Sequence, residues 1–400
     1  MALTSVEDAL AQLLSGVPPT GSEPLPLADA LHRVLAEDLT AHRAQPPFPA
    51  SAMDGYAVRA ADAADGRTLN VIGQSRAGAR FDGTVSSGEA VRIFTGAPVP
   101  DGADAILIQE NAEASGSDVR VLSGVEPGRF IRPEGLDFKV GETLIIAGTE
   151  LAPAKLALAA SMNRPAVNVR RKPRVAIIAT GDELVPPGAE PGIDQIISSN
   201  GIGVAMLVRE FGGDPDDRGI AADRIEAIDE RLPGSDDTDI LVLIGGASVG
   251  DHDLVQDALL GRGMELDFWR IAMRPGKPLM VGRLNDMRVL GLPGNPVSAM
   301  VCSHIFLKPL IRTMLGLSVR PIEASARLAT AMAANDERQD YVRATLSAGK
   351  EGLVAAPFNR QDSSMLATLA RSDALVIRPP HAPAAKEGEM VPIMVLGSVE

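Results

Sequence analysis

The chain has 400 residues, a formal net charge of -14 at pH 7, 45% hydrophobic residues and 3% aromatic residues. This length is too great for one ordinary core, so we expect several domains with aliphatic cores. The acidic balance argues against nucleic acid as the main partner, and a small anionic ligand would need local cations. The single cysteine, Cys302, excludes an intramolecular disulfide framework and a cysteine-rich zinc site.

The first residues, 1–5, lack the basic and apolar regions of a signal peptide. No uninterrupted apolar run in the sequence reaches membrane-spanning length. We therefore expect a soluble, cytoplasmic protein with no membrane partner.

The N-terminal part of the sequence has a helical pattern. Thr4 and Glu7 have capping-box spacing before a helix over 5–16, and a second helix is predicted over about 27–36. A further helix is predicted over 153–162. Residues 1–39 and 142–172 are therefore predicted to form one discontinuous helical domain.

The segment between these helical pieces, residues 40–141, is predicted to be an inserted β domain. Short apolar runs around Val71 and over 91–94, 105–108 and 119–122 alternate with turn residues, and a similar run follows at 143–146. A proline-rich stretch leads into a tight turn at Asp54-Gly55. Two loops, 95–104 and 132–139, stand out for their glycine, proline and acidic residues.

From Pro173 the pattern alternates between strand and helix, which predicts an α/β domain over 173–318. Strands are predicted at 174–179, 240–244, 268–271 and 288–292. Helices are predicted after Asn200, after Asp223 and from Pro293 to about Met314.

The chain is organised around the strand 240–244 and the loop that follows it. Five consecutive apolar residues predict a strand buried on both faces, and Gly245-Gly246 permits a sharp turn close to a ligand. Loops at the carboxyl ends of strands are where open α/β sheets bind ligands. The alternative is an ordinary turn, and a simple strand-to-helix turn is likewise the alternative for Gly294.

After residue 318 the helical pattern stops. Strands predicted near 324–328, 341–346, 374–377 and 391–396, with a short helix near 364–370, indicate a second β domain over 319–400.

Seven segments together resemble the MoeA family of molybdopterin molybdenumtransferases. They are P-P-F-P-A-S-A-M-D-G-Y-A (46–57), T-G-A-P-V-P (95–100), A-T-G-D-E-L (179–184), S-S-N-G (198–201), G-G-A-S-V-G-D-H-D (245–253), R-P-G-K-P (274–278) and L-P-G-N-P-V-S (292–298). Each alone is weak, but all seven occur in family order across nearly the whole chain. The central domain alone is also similar to molybdopterin adenylyltransferase.

The resemblance implies a multidomain α/β plus β fold. Its parts are a helical N-terminal region, an inserted β domain, a central three-layer α/β molybdopterin-binding domain and a C-terminal small β-barrel. It also implies an elongated homodimer with sites shared between subunits, and possible transient contact with molybdopterin adenylyltransferase. The implied reaction inserts molybdenum from molybdate into adenylylated molybdopterin, releases AMP and uses Mg²⁺.

The resemblance also implies the site residues. The catalytic set is Asp54, Thr95, Asp137, Glu183, Asp223, Asp253 and Lys277, of which Glu183, Asp223 and Asp253 are the candidate magnesium ligands. The substrate-binding set is Gly245, Gly246, Ser248, Gly250, Pro293, Gly294, Asn295, Ser298, Arg274, Lys277, Arg343 and Ser363. Magnesium takes only one or two protein carboxylates, so the five acids of the catalytic set cannot all be its ligands.

Structural alternatives remain for several of these residues. Asp223 has the spacing of a helix N-cap with Glu226, Asp54 could be a turn residue, and Arg343 could be a solvent-facing charge on a strand. Two departures from the family pattern are Arg274, where many members have lysine, and Asp362 with Ser364, where the family has small residues.

Three other function classes remain open. A nucleotide-dependent kinase or phosphatase is compatible with the glycine loops, although no G-x-x-x-x-G-K-[ST] motif is present. A non-catalytic dimeric scaffold and an adenylyltransferase are the others. The additional β domains and the Arg343 segment favour metal insertion.

Overall fold

The structure is a computed structural model that describes residues 3–234, 237–245, 254–319 and 324–397. The chain divides into two compact units. One is Pro24–Val169, and the other comprises the described residues before and after it. No helix in these described ranges is long and apolar enough to cross a lipid bilayer.

The helices are few and short. In chain order they are α1 (Val6–Leu14), α2 (Pro153–Ser161), α3 (Asn200–Glu210), α4 (Ile225–Asp229), α5 (Leu254–Gly261), α6 (Pro296–Cys302), α7 (Lys308–Met314) and α8 (Leu366–Leu369). A π-helical segment, Ser303–Leu307, joins α6 to α7. The helices predicted over 5–16, over 153–162 and from 293 to 314 are confirmed.

The first part of the chain is rich in strands. They are β1 (Ser22–Pro26), β2 (Leu39–Thr40), β3 (Ala50–Ser51), β4 (Gly55–Val58), β5 (Thr68–Ser75), β6 (Glu89–Ile93), β7 (Ala105–Ile108), β8 (Ala112–Ser115), β9 (Asp118–Val121), β10 (Ile131–Arg132), β11 (Thr143–Ile145) and β12 (Ala166–Arg170). Six of them form one sheet in the order β7-β4-β6-β5-β9-β8. Apolar clusters cover both of its faces, so this part of the chain contains a β-rich domain.

The predicted helical N-terminal region was wrong. Of the helix expected over 27–36, only a 3-10 turn at Leu27–Asp29 forms. The left-handed backbone of His32, with φ 59°, then interrupts any helix. The amide of Leu35 donates to the carbonyl of Thr149 at 2.9 Å, so distant extended segments replace the local helical partners.

The central domain is a mixed sheet. Its strands are β13 (Arg174–Thr180), β16 (Asp214–Ala221), β17 (Ile240–Ile244), β18 (Glu265–Arg270), β20 (Pro278–Leu284) and β21 (Met287–Leu292), in the order β16-β13-β17-β21-β20-β18. The first four are parallel and the last two are antiparallel to their neighbours. The short strands β14 (Leu184–Val185), β15 (Ile196–Ile197) and β19 (Met273–Arg274) lie outside it.

Helices pack on this sheet. One face buries Ala176, Leu241 and Val289 in a cluster with residues of α4 and α5. Helix α3 packs against β13 and against α6 and α7. The sequence did not reveal the polar edge strand β16, in which only Ala221 is fully buried.

The strand order creates a switch point between β13 and β17. From β13 the chain passes through α3 to β16 on one side, and it then returns through α4 to β17 on the other. The connections leave in opposite directions, so a crevice opens where the strands end.

The C-terminal domain is a closed five-stranded barrel. Its strands are β22 (Ala324–Leu328), β23 (Gln339–Gly349), β24 (Gly352–Pro357), β25 (Ala374–Arg378) and β26 (Met390–Val395). The ring β23-β24-β22-β26-β25 closes because β25 also pairs with β23. The predicted small barrel is therefore confirmed, although β24 was not predicted. Strand β19 of the central domain adds to β23 as a parallel neighbour.

Candidate active site

A cleft of about 930 Å³ opens at the carboxyl ends of the parallel strands. Its wall comes from the loops after β13, β16, β17 and β21, from the start of α3 and from the barrel. Among the described residues, those of the wall with polar or acidic side chains are Thr180, Glu183, Ser198, Ser199, Asn200, Asp223, Asn295 and Ser364. The predicted residues Gly245, Pro293 and Gly294 line it as well.

Glycine at residue 245 lets the ends of β13 and β17 approach one another on the floor of this cleft. Gly245 has φ 97°, and a Cβ there would lie 2.6 Å from the carbonyl oxygen of Thr180. A Cβ on Gly294 would in turn lie 3.7 Å from the Cα of Gly245. A side chain at residue 245 would therefore collide with β13, which is a physical reason for glycine there.

The two carboxylates of the cleft lie on neighbouring loops that are tied together. The amide of Asp223 donates to Oδ1 of Asp182 at 3.1 Å, and the amide of Gly181 donates to the carbonyl of Ala221 at 3.2 Å. Glu183, on the loop after β13, and Asp223, on the loop after β16, therefore lie on loops that are held side by side. Asp223 is not a helix cap, since Arg224 occupies that position and makes no side-chain capping bond.

Some polar groups of the cleft were not among the predicted site residues. The side chain of Asn200 donates to the carbonyl of Gly294 at 2.7 Å and so joins the start of α3 to the second glycine loop. Thr180 has a buried hydroxyl without a hydrogen-bond partner in the described part of the chain. Thr180 lies in the A-T-G-D-E-L segment and Asn200 in the S-S-N-G segment. The spacing of the two segments alone does not show that these residues line one cleft.

The R-P-G-K-P turn lies between the cleft and the barrel. Arg274 pairs with Asp336 and lies 3.4 Å from Oδ1 of Asp340, both on the barrel side. Lys277 is exposed, and the adjacent Pro278 lines the cleft. Arg274 thus fastens the turn to the barrel, which gives the arginine at this position a structural role.

The barrel loop 361–364 reaches the start of α6. The carbonyl of Ser363 accepts a bond of 3.1 Å from the amide of Val297, and Ser364 lines the cleft. The amide and hydroxyl of Ser364 both donate to Oδ1 of Asp362, at 2.8 and 2.6 Å. These bonds hold the pKa of the Asp362 carboxyl below its usual range, and its nearness to Arg343 acts in the same direction.

Arg343 is not the solvent-facing charge of the alternative interpretation, because only 1% of it is exposed. Its Nε donates to Oε1 of Gln361 at 3.0 Å and its Nη1 to the carbonyl of Asp362 at 2.9 Å. Burial lowers the pKa of this guanidinium. Ser298 is also buried and does not line the cleft.

The other acids of the predicted set lie in the unit Pro24–Val169. Asp54 accepts from the amide and the hydroxyl of Thr95, at 2.7 and 2.8 Å, so the structure brings these two predicted residues together. Both bonds hold the pKa of the Asp54 carboxyl below its usual range. Asp137 is exposed, and its amide donates to the carbonyl of Gln45 at 2.9 Å.

Four predicted site residues, Gly246, Ser248, Gly250 and Asp253, lie outside the described residues. In the remainder of the chain no group of three or more His, Cys, Asp or Glu side chains is arranged to hold a metal ion.

The fold and the cleft together define a class: a multidomain α/β protein with a polar, acid-bearing ligand cleft at the switch point of its central sheet. Three family models match the chain in succession: "MoeA N-terminal region (domain I and II)" over 4–163, "Probable molybdopterin binding domain" over 176–313 and "MoeA C-terminal region (domain IV)" over 325–396. The chain belongs to the MoeA family.

Individual relatives agree with this assignment. The chain is 36% identical to the molybdopterin molybdenumtransferase of Haemophilus influenzae, with 78% of each chain covered. It is 34% identical to the enzyme of the same name from Bacillus subtilis, with 92% of this chain and 89% of the relative covered. A crystal structure described as the molybdopterin biosynthesis MoeA protein of Pyrococcus horikoshii superposes with a TM-score of 0.86 at 30% identity, over 100% of both chains.

Proposed function

We propose that this chain inserts molybdenum from molybdate into adenylylated molybdopterin with release of AMP, and that the cleft of the central domain holds the pterin substrate. The chain is a molybdopterin molybdenumtransferase, a transferase of molybdenum cofactor biosynthesis.

The observation that supports this reaction and its site is the mixture of groups around the cleft. Ser198 and Asn200 lie at the start of α3, whose first-turn amides have no partners within the helix and give this end a partial positive charge. These groups suit phosphate oxygens. Gly245 and Gly294 present bare backbone on the wall of the cleft, and we propose that the flat pterin ring lies against it.

Magnesium is the proposed cofactor, and the acids of the cleft fit it. Glu183 and Asp223 line one cavity from two loops that are hydrogen-bonded together. A hard cation that keeps several waters and binds substrate phosphates needs only one or two such carboxylates. When bound, magnesium would offset the negative charge of the pyrophosphate. Asp253, the third proposed ligand, lies outside the described residues.

For molybdate we propose the side of the cleft where the R-P-G-K-P turn and the barrel loop meet. Pro278 and Ser364 both line the cleft, so their neighbours Lys277 and Ser363 lie close to its edge. Lysine supplies a point charge for an oxyanion, and a serine hydroxyl supplies a donor. Arg343 is proposed to hold the barrel loop in place, because its described bonds go to Gln361 and Asp362.

Asp54, Thr95 and Asp137 are proposed to act at the cleft of the partner subunit in a homodimer. A cytoplasmic location and transient delivery of substrate by a molybdopterin adenylyltransferase complete the proposal.

A reaction of the purified protein with adenylylated molybdopterin and magnesium, with and without molybdate, tests the function. AMP and metal-loaded pterin are measured together. We expect both products to form only when molybdate is present. Tight pterin binding without either product, with tungstate as well as with molybdate, would contradict the proposal and favour a carrier or scaffold.

A further inference from the structure

We infer that Arg92 is a positioning residue that holds the turn carrying Asp54, so that its carboxylate faces the reaction in one orientation. This inference rests on the proposed participation of Asp54 in the transfer reaction. Arg92 lies outside the seven segments on which the resemblance rests, and its contacts with the Asp54 turn exist only in the folded sheet.

Asp54 lies at one end of the six-stranded sheet, between the ends of two neighbouring strands. Strand β4 begins at Gly55, which pairs with Ile93 of β6 on one side and with Ile108 of β7 on the other. Thr95 therefore follows β6 beside Asp54, and Gln109 follows β7 on the other side. Thr95 binds the carboxylate, and the amide of Gln109 donates to the carbonyl of Asp54 at 3.1 Å.

Arg92 spans these three strand ends. It pairs across the strands with Tyr56, so both side chains lie on the same face of the sheet. Its guanidinium carbon lies 5.0 Å from the ring centre of Tyr56 and 5.1 Å from that of Phe94. Nη1 donates to the carbonyl of Gly55 at 3.0 Å, and Nη2 donates to Oε1 of Gln109 at 3.0 Å.

A planar cation held by two rings and two acceptors has little freedom to rotate. Because one acceptor is the carbonyl of Gly55, the bond restrains the Gly55–Tyr56 peptide, which directly follows the residue after Asp54. The backbone of Gly55 also lies close to β7, since a Cβ there would lie 2.9 Å from the Cα of Ile108. Arg92 thus restrains the turn from one face, while Thr95 orients the carboxylate.

The charge of Arg92 acts in the same direction as its geometry. The two bonds from Thr95 are the main causes that lower the pKa of the Asp54 carboxyl, and the nearby positive charge of Arg92 adds to them. Arg92 therefore favours the ionised carboxylate and restrains the turn that carries it.

Kinetics of the full-length protein test the inference through Arg92→Met and Arg92→Lys. We expect Arg92→Met to lower kcat roughly ten-fold with little change in KM, because displacing a reacting group by a fraction of an ångström has effects of this order. Arg92→Lys keeps the positive charge but lacks the two parallel N–H donors of the guanidinium. It should therefore show a smaller loss of kcat than Arg92→Met. Arg120→Met is the matched control, since Arg120 is an exposed residue of the same sheet that pairs only loosely with Glu113, at 3.8 Å.

The decisive kinetic comparison repeats Arg92→Met in an Asp54→Asn background. A residue that acts through Asp54 causes no further loss once that carboxylate is gone. An undiminished ten-fold loss in that background would overturn the inference, because Arg92 would then act independently of Asp54.

A second readout does not depend on turnover. The side-chain carboxyl carbon of Asp54 is followed by NMR against pH in protein labelled at aspartate, and its signal is identified by its loss in Asp54→Asn. We expect the pKa of Asp54 to rise in Arg92→Met and to stay unchanged in Arg120→Met. An unchanged pKa in Arg92→Met would contradict the inference. If the wild-type protein formed no product while this pKa still rose, the proposed function would fail and the positioning by Arg92 would stand.

Discussion

The carboxylate of Glu183 folds back over Gly181. A Cβ built on Gly181 would lie 2.8 Å from the carboxyl carbon of Glu183, and Gly181 itself has φ 150°. The backbone of one residue thus shapes the space available to the acid two positions later. Because the obstructing group is the end of a flexible side chain, an added methyl group would move the carboxylate rather than break the strand end.

Gly181→Ala is therefore expected to lower activity as much as Glu183→Gln does, by roughly ten-fold or more, since both changes remove a correctly placed carboxylate. The melting temperature should fall only slightly. Gly188→Ala is the control, because Gly188 also has a positive φ, 90°, but has no atom within 4 Å of an added Cβ. Full activity of Gly181→Ala would show that the position of Glu183 is unimportant.

Lys277→Ala is expected to abolish molybdate-dependent product formation while the protein still folds. Lys277 is exposed, so its truncation removes a charge without opening a cavity. Activity and thermal melting are measured together. Lys350→Ala, which changes an exposed lysine in the turn between β23 and β24, should retain activity. Normal turnover by Lys277→Ala would exclude the proposed anion-binding role.

Mixing inactive Asp54→Asn and Lys277→Ala proteins is expected to restore part of the activity. In a homodimer with shared sites, each mixed dimer contains one site in which both residues are intact. The proteins carry different tags, so that mixed dimers can be isolated and assayed. No recovery in isolated mixed dimers would contradict a site shared between subunits.

Arg343→Met is expected to lower the free energy of unfolding by about 2–4 kcal/mol, because the acceptors on Gln361 and Asp362 would lose their buried charged donor. Urea denaturation measures the change, and Arg360→Met, at an exposed position, is the control. A loss of activity at unchanged stability would instead indicate direct contact between Arg343 and the anion.

His304 is expected to make the protein sensitive to mild acid. Burial lowers the pKa of His304 to about 4. His304 in the unfolded chain therefore takes up a proton near pH 6.5, whereas in the folded chain it does so only near pH 4. Stability falls as the pH drops from about 6.5 towards 4. Compared with His304→Gln, the wild type should lose roughly 2 kcal/mol more between pH 7 and 4.5, as measured by denaturant unfolding. Parallel losses in the two proteins would show that another group is responsible.

Local patterns in the sequence were enough to locate 13 of the 26 strands that the structure describes, because an apolar run such as 240–244 is buried wherever the chain places it. The same reasoning failed for residues 27–36. Their apolar spacing suits a helix, but Leu35 bonds to Thr149, and no local pattern encodes a partner so distant. Strand β16 was missed because an edge strand need not be apolar.

The sequence by itself determined the family, the chemical types of the site residues and the glycines at which a backbone can approach another group. Only the tertiary structure decided which of these groups meet. Thr95 donates hydrogen bonds to Asp54 because of the register of the β4–β6 pair, and Gly245 lies against Thr180 because β17 is the neighbour of β13. Arg274 is held by Asp336, and Arg343 is buried, because the barrel closes beside the central domain. Contacts of this kind depend on how separate elements pack. The spacing of apolar residues along the sequence contains no information about that packing.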